Sequence, residues 1–272
     1  MPLPMNVGKI IQLTAGFIMV EVLARYVGGG SLMPIYLLGY GIGALLIAVY
    51  FDWMIPRLDY DKYNLMAALW LNLFVVGSFI NMIEGWFFTT VFASPTIFLF
   101  GTVWTLFVSG IQAWLSVYLF NASGSNNIIS ELDKLRSGLG DNGFIKAVLL
   151  GGLGYFPVYF FFGMLVSPFV IKYYNDPALG LVIPPFTLII PLEILRGFMF
   201  VASLLPLIIG LRDRRTLFIA LAAMLFIPGS LIPMIGDVGL PTPIIPYHTV
   251  ELFCDSVVYG YLLARVFTPK KD

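Results

Sequence analysis

The sequence predicts an all-α integral membrane protein, a polytopic bundle of about eight transmembrane helices, on three observations. Of its 272 residues 59% are hydrophobic and only 11% charged, where soluble domains carry about 25% charged residues. Several apolar runs approach or exceed the ~20 residues that a bilayer crossing needs. Finally, lysine and arginine alternate in a way that fits one topology. With Lys9 cytoplasmic, eight crossings put Arg57, Lys62, Lys134, Arg136, Lys146, Arg212, Arg214, Arg215, Arg265, Lys270 and Lys271 on the same side; only Arg25, Lys172 and Arg196 fall towards the other. By the positive-inside rule both termini are expected in the cytoplasm, and the plasma (inner) membrane is the expected location.

The spans are expected at 10–28, 32–55, 63–86, 92–120, 147–171, 192–211, 216–236 and 248–267. The first begins like a signal peptide, with Lys9 ahead of Ile10 to Val20. No small-x-small cleavage site follows, and Glu21 and Arg25 stand where one would fall, so it reads as a retained helix. Gly28-Gly29-Gly30 separates it from the second span, and Arg57 to Lys62 separates the second from the third. In the loop 121–146, Ile128, Leu132 and Leu135 recur at helical spacing, with Glu131, Asp133, Lys134 and Arg136 on other faces. This predicts a short amphipathic helix at the inner interface, ended by Gly138. The sequon Asn121-Ala122-Ser123 falls on the cytoplasmic side and is discounted.

Ala178 to Pro191 is apolar but too short to cross and contains Pro184-Pro185, which predicts a re-entrant or interfacial segment. The seventh span holds Pro228, Gly229 and Pro233, so its outer half is expected to be kinked or unwound where protein or a cavity satisfies the freed backbone. Residues 1–272 read as a single domain, and no similarity between the two halves suggests an internal repeat.

The single cysteine, Cys254, excludes an intramolecular disulfide and a cysteine metal cluster. With His248 the only histidine, a multi-histidine metal or haem centre is excluded too. One imidazole among Glu84, Glu193, Glu251 and Asp255 is a weak metal signature, and neither a metal nor a cofactor is expected. Glycine-rich phosphate loops and basic nucleic-acid surfaces are absent.

Sorting the charges by depth singles out the outer half of the bundle. Glu21 and Arg25, Asn81 and Glu84, Glu193 and Arg196, and His248, Glu251 and Asp255 all fall there, with Asp237 in a loop. A charge within a span costs ~2.5–3.5 kcal/mol on insertion scales and faces the bundle interior or a cavity. Each has a purely structural reading as well. Glu21 and Arg25 are spaced for an intrahelical pair. Glu193 follows Pro191 in what reads as a first turn, favoured by the helix dipole, and sits three residues before Arg196. His248 and Glu251 open the last helix; Asp255 shares their face two turns further into the apolar run. Glu84 is hardest to explain locally, since it opposes the dipole at a helix exit with no basic residue within a turn. Its partner is expected on another helix, Arg196 or Arg25. The pocket candidates are therefore Glu84, Arg196, His248, Glu251, Asp255, Glu193, Arg25 and Asn81.

One family comparison arises from Pro191-Leu192-Glu193-Ile194-Leu195-Arg196-Gly197. It superficially resembles the Glu-Glu-x-x-x-Arg motif of CAAX-processing-type intramembrane glutamic proteases. The spacing here is Glu-x-x-Arg, the doubled glutamate is missing and that family uses two histidines, so the resemblance is rejected. Gly229-Ser230 followed by His248 is likewise a poor match to rhomboid-type catalysis. Three classes of function remain. Transport of a small solute or ion leads, on dispersed single carboxylates beside a broken helix. An intramembrane enzyme acting on a lipid or lipid-linked substrate would use His248 or Glu251 as acid/base and Arg196 to hold an anionic headgroup. A membrane assembly or partner-binding protein would use the charges as a structural network. The expected partners are the bilayer and a small solute, ion or lipid headgroup, with no nucleic acid.

Overall fold

The computed structural model describes residues 5–28, 32–92, 94–120, 124–211, 213–235 and 240–268. Gly29, Gly30, the Asn121–Ser123 sequon, Arg212, Asp237, Lys270 and Lys271 lie outside them. The described residues form helices and no strand: α1 (Val7–Gly28), α2 (Pro34–Arg57, its last turn 3-10), α3 (Lys62–Phe88), α4 (Pro95–Phe120), the short α5 (Ile128–Leu139), α6 (Asp141–Tyr174), α7 (Phe186–Gly210), α8 (Arg214–Ile235) and α9 (Ile245–Phe267). All but α5 and α9 are long and apolar enough to cross a membrane. Helix α9 has the length, at 23 residues, but carries Glu251, Asp255 and Arg265.

The helices pack as two groups of four. In the first, α1 lies against α2 and α4, and α3 against α4; in the second, α6 lies against α7 and α9, and α8 against α9. The contact scheme is the same in both, and α9 occupies the place that α4 has in the first group. The most enclosed helix is α7: half of its most apolar window is buried, against 11% in α4. Exposed Phe100, Val103 and Phe107 on α4 and Phe161, Leu165 and Phe169 on α6 form the lipid-facing surface.

This scheme overturns the expectation of no internal repeat. Shifting by 152 positions aligns residues 61–83 of α3 with 213–235 of α8. Eleven of these 23 positions are identical: Asp61/Asp213, Leu65/Leu217, Ala68/Ala220, Leu69/Leu221, Leu73/Leu225, Phe74/Phe226, Gly77/Gly229, Ser78/Ser230, Ile80/Ile232, Met82/Met234 and Ile83/Ile235. The structure repeats with the sequence. Asp61 and Asp213 each cap their helix by accepting backbone N–H bonds. Each helix then runs 13 residues before a five-residue π-helical stretch, Val75–Phe79 in α3 and Ile227–Leu231 in α8. Gly110 of α4 packs on Trp70 of α3, as Gly260 of α9 packs on Ala222, the residue equivalent to Trp70.

The two π stretches meet. Gly77 lies against Pro228 and Gly229 against Val76, and Val76 and Pro228 are themselves equivalent. Such reciprocal contacts are the signature of a two-fold interface. Among the pairs that differ, Asn81 and Pro233 are coupled through the backbone. Proline has no N–H, so Pro233 leaves the Gly229 carbonyl without its helical donor. Asn81 supplies one, its Nδ2 donating to Gly229 O at 2.8 Å. Pro168 similarly frees the Met164 carbonyl, which accepts from Ser167 Oγ at 3.0 Å. The expected break in the seventh span is thus a π-helical stretch with its backbone satisfied; its counterpart in α3 was not expected.

Three local expectations need correction. Segment 178–191 is not one re-entrant element. Helix α7 starts at Phe186, after Pro185, and Pro191 ends nothing because it forgoes a single backbone bond, to Thr187. The preceding residues are tied to the end of α3, Thr90 N–H donating to Gly180 O and Val182 N–H to Phe88 O. Helix α5 stops at Leu139, not Gly138, followed by Gly140 at φ +69°. Glu131 is buried rather than on a solvated face, and accepts from Lys134 at 2.6 Å.

The Asn81 amide should account for measurable stability. Asn81→Leu is expected to cost about 1–3 kcal/mol, the usual penalty for a buried polar group left without a partner. In a Pro233→Ala background, where the backbone regains its donor, the cost should shrink. Melting curves of the four proteins in detergent measure the difference; equal losses in both backgrounds would refute the assignment.

Candidate functional site

The site is assembled where α6, α7 and α9 meet the end of α3. Gly197 of α7 rests on the backbone of Gly152 in α6, an approach that a Cβ would block. Tyr259 of α9 is buried beside them and donates to both Gly151 O (3.0 Å) and Gly197 O (3.2 Å). Three helices are thereby locked together, and the residue next to Gly197, Arg196, is held at their centre.

Arg196 is 2% exposed and Glu193 fully buried. Arg196 Nη1 donates to both oxygens of Glu193, at 2.9 and 2.8 Å, and Nη2 donates to Glu84 Oε2 at 2.7 Å. The guanidinium also faces the rings of Tyr155 and Tyr159, 5.5 and 5.7 Å from their centroids. The partner that Glu84 requires is therefore Arg196, reached across the two halves of the bundle. Glu193 is not in a first turn, since α7 starts seven residues before it, and its local partner is the guanidinium rather than the helix dipole. Charged pairs of this kind must be close to fully hydrogen-bonded to offset their desolvation, and this one nearly is. Arg196 Nε has no partner among the described residues.

On α9, His248 Nδ1 lies 2.7 Å from Glu251 Oε2, and its Nε2 lies 3.5 Å from the Tyr174 hydroxyl of α6. Glu251 is buried, with Gly163 of α6 leaving room for its carboxylate. One turn deeper, Asp255 is 3% exposed and neither of its oxygens has a hydrogen-bond partner among the described residues. Exposure thus falls from Glu84 and His248, which are partly open, to Asp255. A cavity of ≈20 Å³, measured by where the centre of a water can stand, lies between Asp255, Arg196, Asn81, Ser230, Ser256 and Tyr259.

Of the sequence candidates, the structure brings together Glu84, Glu193, Arg196, His248, Glu251, Asp255 and Asn81. Arg25 stays with Glu21, at 2.9 Å, and with the ring of Tyr40 on α2. Comparison with protein-family models, with characterised proteins and with solved structures finds no match. The site must therefore be read from its own chemistry. Four carboxyl groups face one guanidinium and one imidazole, a formal charge of −3 with the imidazole neutral and −2 with it protonated. Among the described residues no three His, Cys, Asp or Glu side chains are placed to hold a metal ion.

Sequence reasoning missed Tyr155, Tyr159, Tyr174, Ser256 and Tyr259. The signal for the first two was the Gly151-Gly152-Leu153-Gly154 run, small residues that let another helix approach and bring its arginine to the next turn. A larger hollow, ≈430 Å³, lies around Arg57, Asp59, Tyr60, Asn126, Glu131 and Asp213, near the capped starts of α3 and α8.

Arg196→Gln should destabilise the protein by roughly 3–5 kcal/mol, because it leaves Glu193 buried and unpaired. Glu84→Gln should cost less, since that carboxylate keeps 30% of its exposure. Combining Glu193→Gln with Arg196→Gln should recover part of the loss. Melting curves decide this; an unchanged curve for Arg196→Gln would remove any stabilising role for the cluster.

Proposed function

We propose that the protein moves a small cation, the proton included, across its membrane, with Asp255 as the group that takes up and releases it. The observation that carries this reading is Asp255 itself: a carboxyl group buried in the bundle with neither oxygen hydrogen-bonded among the described residues, in a site with excess negative charge. Unpaired ionisable groups at membrane depth are costly and are retained at ion pathways and proton relays. Its setting supports the same reading. Many transporters are built from repeats and bind their ions at the repeat interface, beside interrupted helices. Here both interrupted helices, α3 and α8, contribute to the cavity that Asp255 lines, through Asn81, Gly229 and Ser230.

In this reading the two four-helix groups move against each other about the contact of their π stretches. With the termini cytoplasmic, as the lysine and arginine placement suggests, the pocket faces the outer side. Towards the other side the bundle is sealed by buried Leu204, Leu207, Leu221, Leu263 and Phe267. Alternating access would require that seal to open. The Arg196 ion pairs hold the register of α3 and α7, which leaves Asp255 and the His248–Glu251 pair as the working groups. That pair also supports the enzyme reading, since a partly open imidazole oriented by a carboxylate is a general acid/base arrangement.

The test is flux into proteoliposomes carrying the purified protein. Wild type should conduct protons or a monovalent cation down an imposed gradient. Asp255→Asn should abolish flux while melting close to the wild-type temperature, because neither carboxyl oxygen has a hydrogen-bond partner among the described residues to lose. His248→Gln should slow flux without loss of fold. No flux in wild type, or undiminished flux in Asp255→Asn, would refute the proposal.

A further inference from the structure

The cavity at the site and the hollow at the other end of the bundle are lined by the same elements. Asn81 of α3, Phe200 of α7 and Leu225 of α8 border the first; Tyr60, just ahead of α3, Gly210 of α7 and Thr216 of α8 border the second. Exposed Asp59 and Asp213 bring the hollow to the surface. Between the two, α7 runs from Phe200 to Gly210 and α8 from Thr216 to Leu225, about 15 Å of helix at 1.5 Å per residue. Leu204 and Leu207 of α7 and Leu217 and Leu221 of α8 lie in that interval, none more than 2% exposed. Tyr60 stands at its inner end. It is buried, and its hydroxyl donates to Pro206 O of α7 at 2.7 Å. Gly210 makes room for the ring, since a Cβ there would stand 3.0 Å from both its edge and its hydroxyl.

We infer that Tyr60 is the inner gate of the pathway: its bond to Pro206 holds α7 against the lead-in of α3 and keeps the leucine seal shut, and its release opens that seal to the hollow. The inference rests on the transport reading above and deepens it. Two features suit this bond to opening and closing. The Pro206 carbonyl lies within α7, where Gly210 N–H is its helical donor, so it stays bonded when the tyrosine leaves. The hydroxyl in turn borders a hollow open to solvent, where water replaces its acceptor. The Asn81 bond is the opposite case, because its loss strands the Gly229 carbonyl. The ring is aimed by its own backbone. Asn126 N–H donates to Asp59 O at 2.9 Å and Asp61 N–H to Asn126 O at 3.0 Å, and Gly124 lies so near the Tyr60 backbone that a Cβ would clash. The segment leading into α5 therefore grips the tyrosine on both flanks. By the 152-residue shift the second half has Arg212 at this position, so the tyrosine occurs once.

The experiment measures how fast a cysteine in the seal reacts with a charged, membrane-impermeant thiol reagent. Leu207→Cys is made in a Cys254→Ala background, with and without Tyr60→Phe. Thr216→Cys identifies the membrane face that the hollow opens to, and Leu13→Cys, buried in α1, is the control. From the hollow's face, Tyr60→Phe should speed labelling of Leu207→Cys roughly three- to tenfold, the weight of one net hydrogen bond in an equilibrium. Labelling of Leu13→Cys should not change. Once labelled, Leu207→Cys should carry no flux in proteoliposomes, since the adduct stands in the path. Equal rates with and without Tyr60→Phe would overturn the gate. So would an equal rise at Leu13→Cys, which would reduce Tyr60 to a stabilising contact, or undiminished flux after labelling. Absence of flux in the unmodified wild type would instead remove the transport reading, and the gate with it. Should Leu207→Cys not fold, hydrogen exchange decides. Faster exchange in Tyr60→Phe at residues 204–211, and not at 10–17, is expected; equal exchange would refute the gate.

Discussion

Within a bilayer a backbone carbonyl that loses its helical donor has no water to turn to, and in this chain that constraint is met at one contact. Pro233 removes the donor of Gly229, and Asn81, its counterpart in the other half, restores it. That hydrogen bond ties α3 to α8 at the level where both helices widen into π turns, beside the cavity that Asn81 and Gly229 both line. It sets the register of α3, which carries Glu84 to Arg196. It also holds open the widened turn of α8, which gives Ser230 a place at the cavity wall.

The polar groups fall into two classes that energetics separates. The Arg196 cluster is nearly saturated: Nη1 and Nη2 of the planar guanidinium donate to two carboxylates, and two tyrosine rings lie against it. Such an arrangement is rigid and is expensive to break, as expected of a group that fixes how helices sit. Asp255 is the opposite, a buried acid with no direct partner. A fold seldom tolerates such a group for stability alone, and tolerance at a cost is what functional groups show. The same helix bundle thus holds a hydrogen-bonded ion cluster and, at the wall of the same cavity, a buried acid with no partner among the described residues.

Much of this was legible in the sequence, and what was not had specific causes. The seven long apolar helices could be read because apolar length and charge placement are strong signals in membrane proteins. Glu84 could be singled out because nothing on its own helix could pair with it. The repeat was missed because its identities are concentrated in one helix of four and consist mainly of Leu, Ala, Phe and Ile, the residues that any span would use; Asp61/Asp213 and Gly77-Ser78/Gly229-Ser230 were the informative matches. The π stretch in α3 was invisible because it contains no proline. The sequence places the start of α7 six residues late because Pro191 reads as a boundary, whereas a proline near a helix start forgoes only one bond.

The repeat carries its scaffold twice but its acids once. At the positions of α4 equivalent to Glu251 and Asp255 of α9, taking Gly110 and Gly260 as the common point, stand Gly101 and Thr105. A two-fold assembly of identical halves would have offered a pair of opposed sites; the fused chain has kept one. On the transport reading proposed above, that asymmetry corresponds to a single occupant per polypeptide. Occupancy should follow a simple hyperbola, and any steeper response would have to come from chains acting on one another.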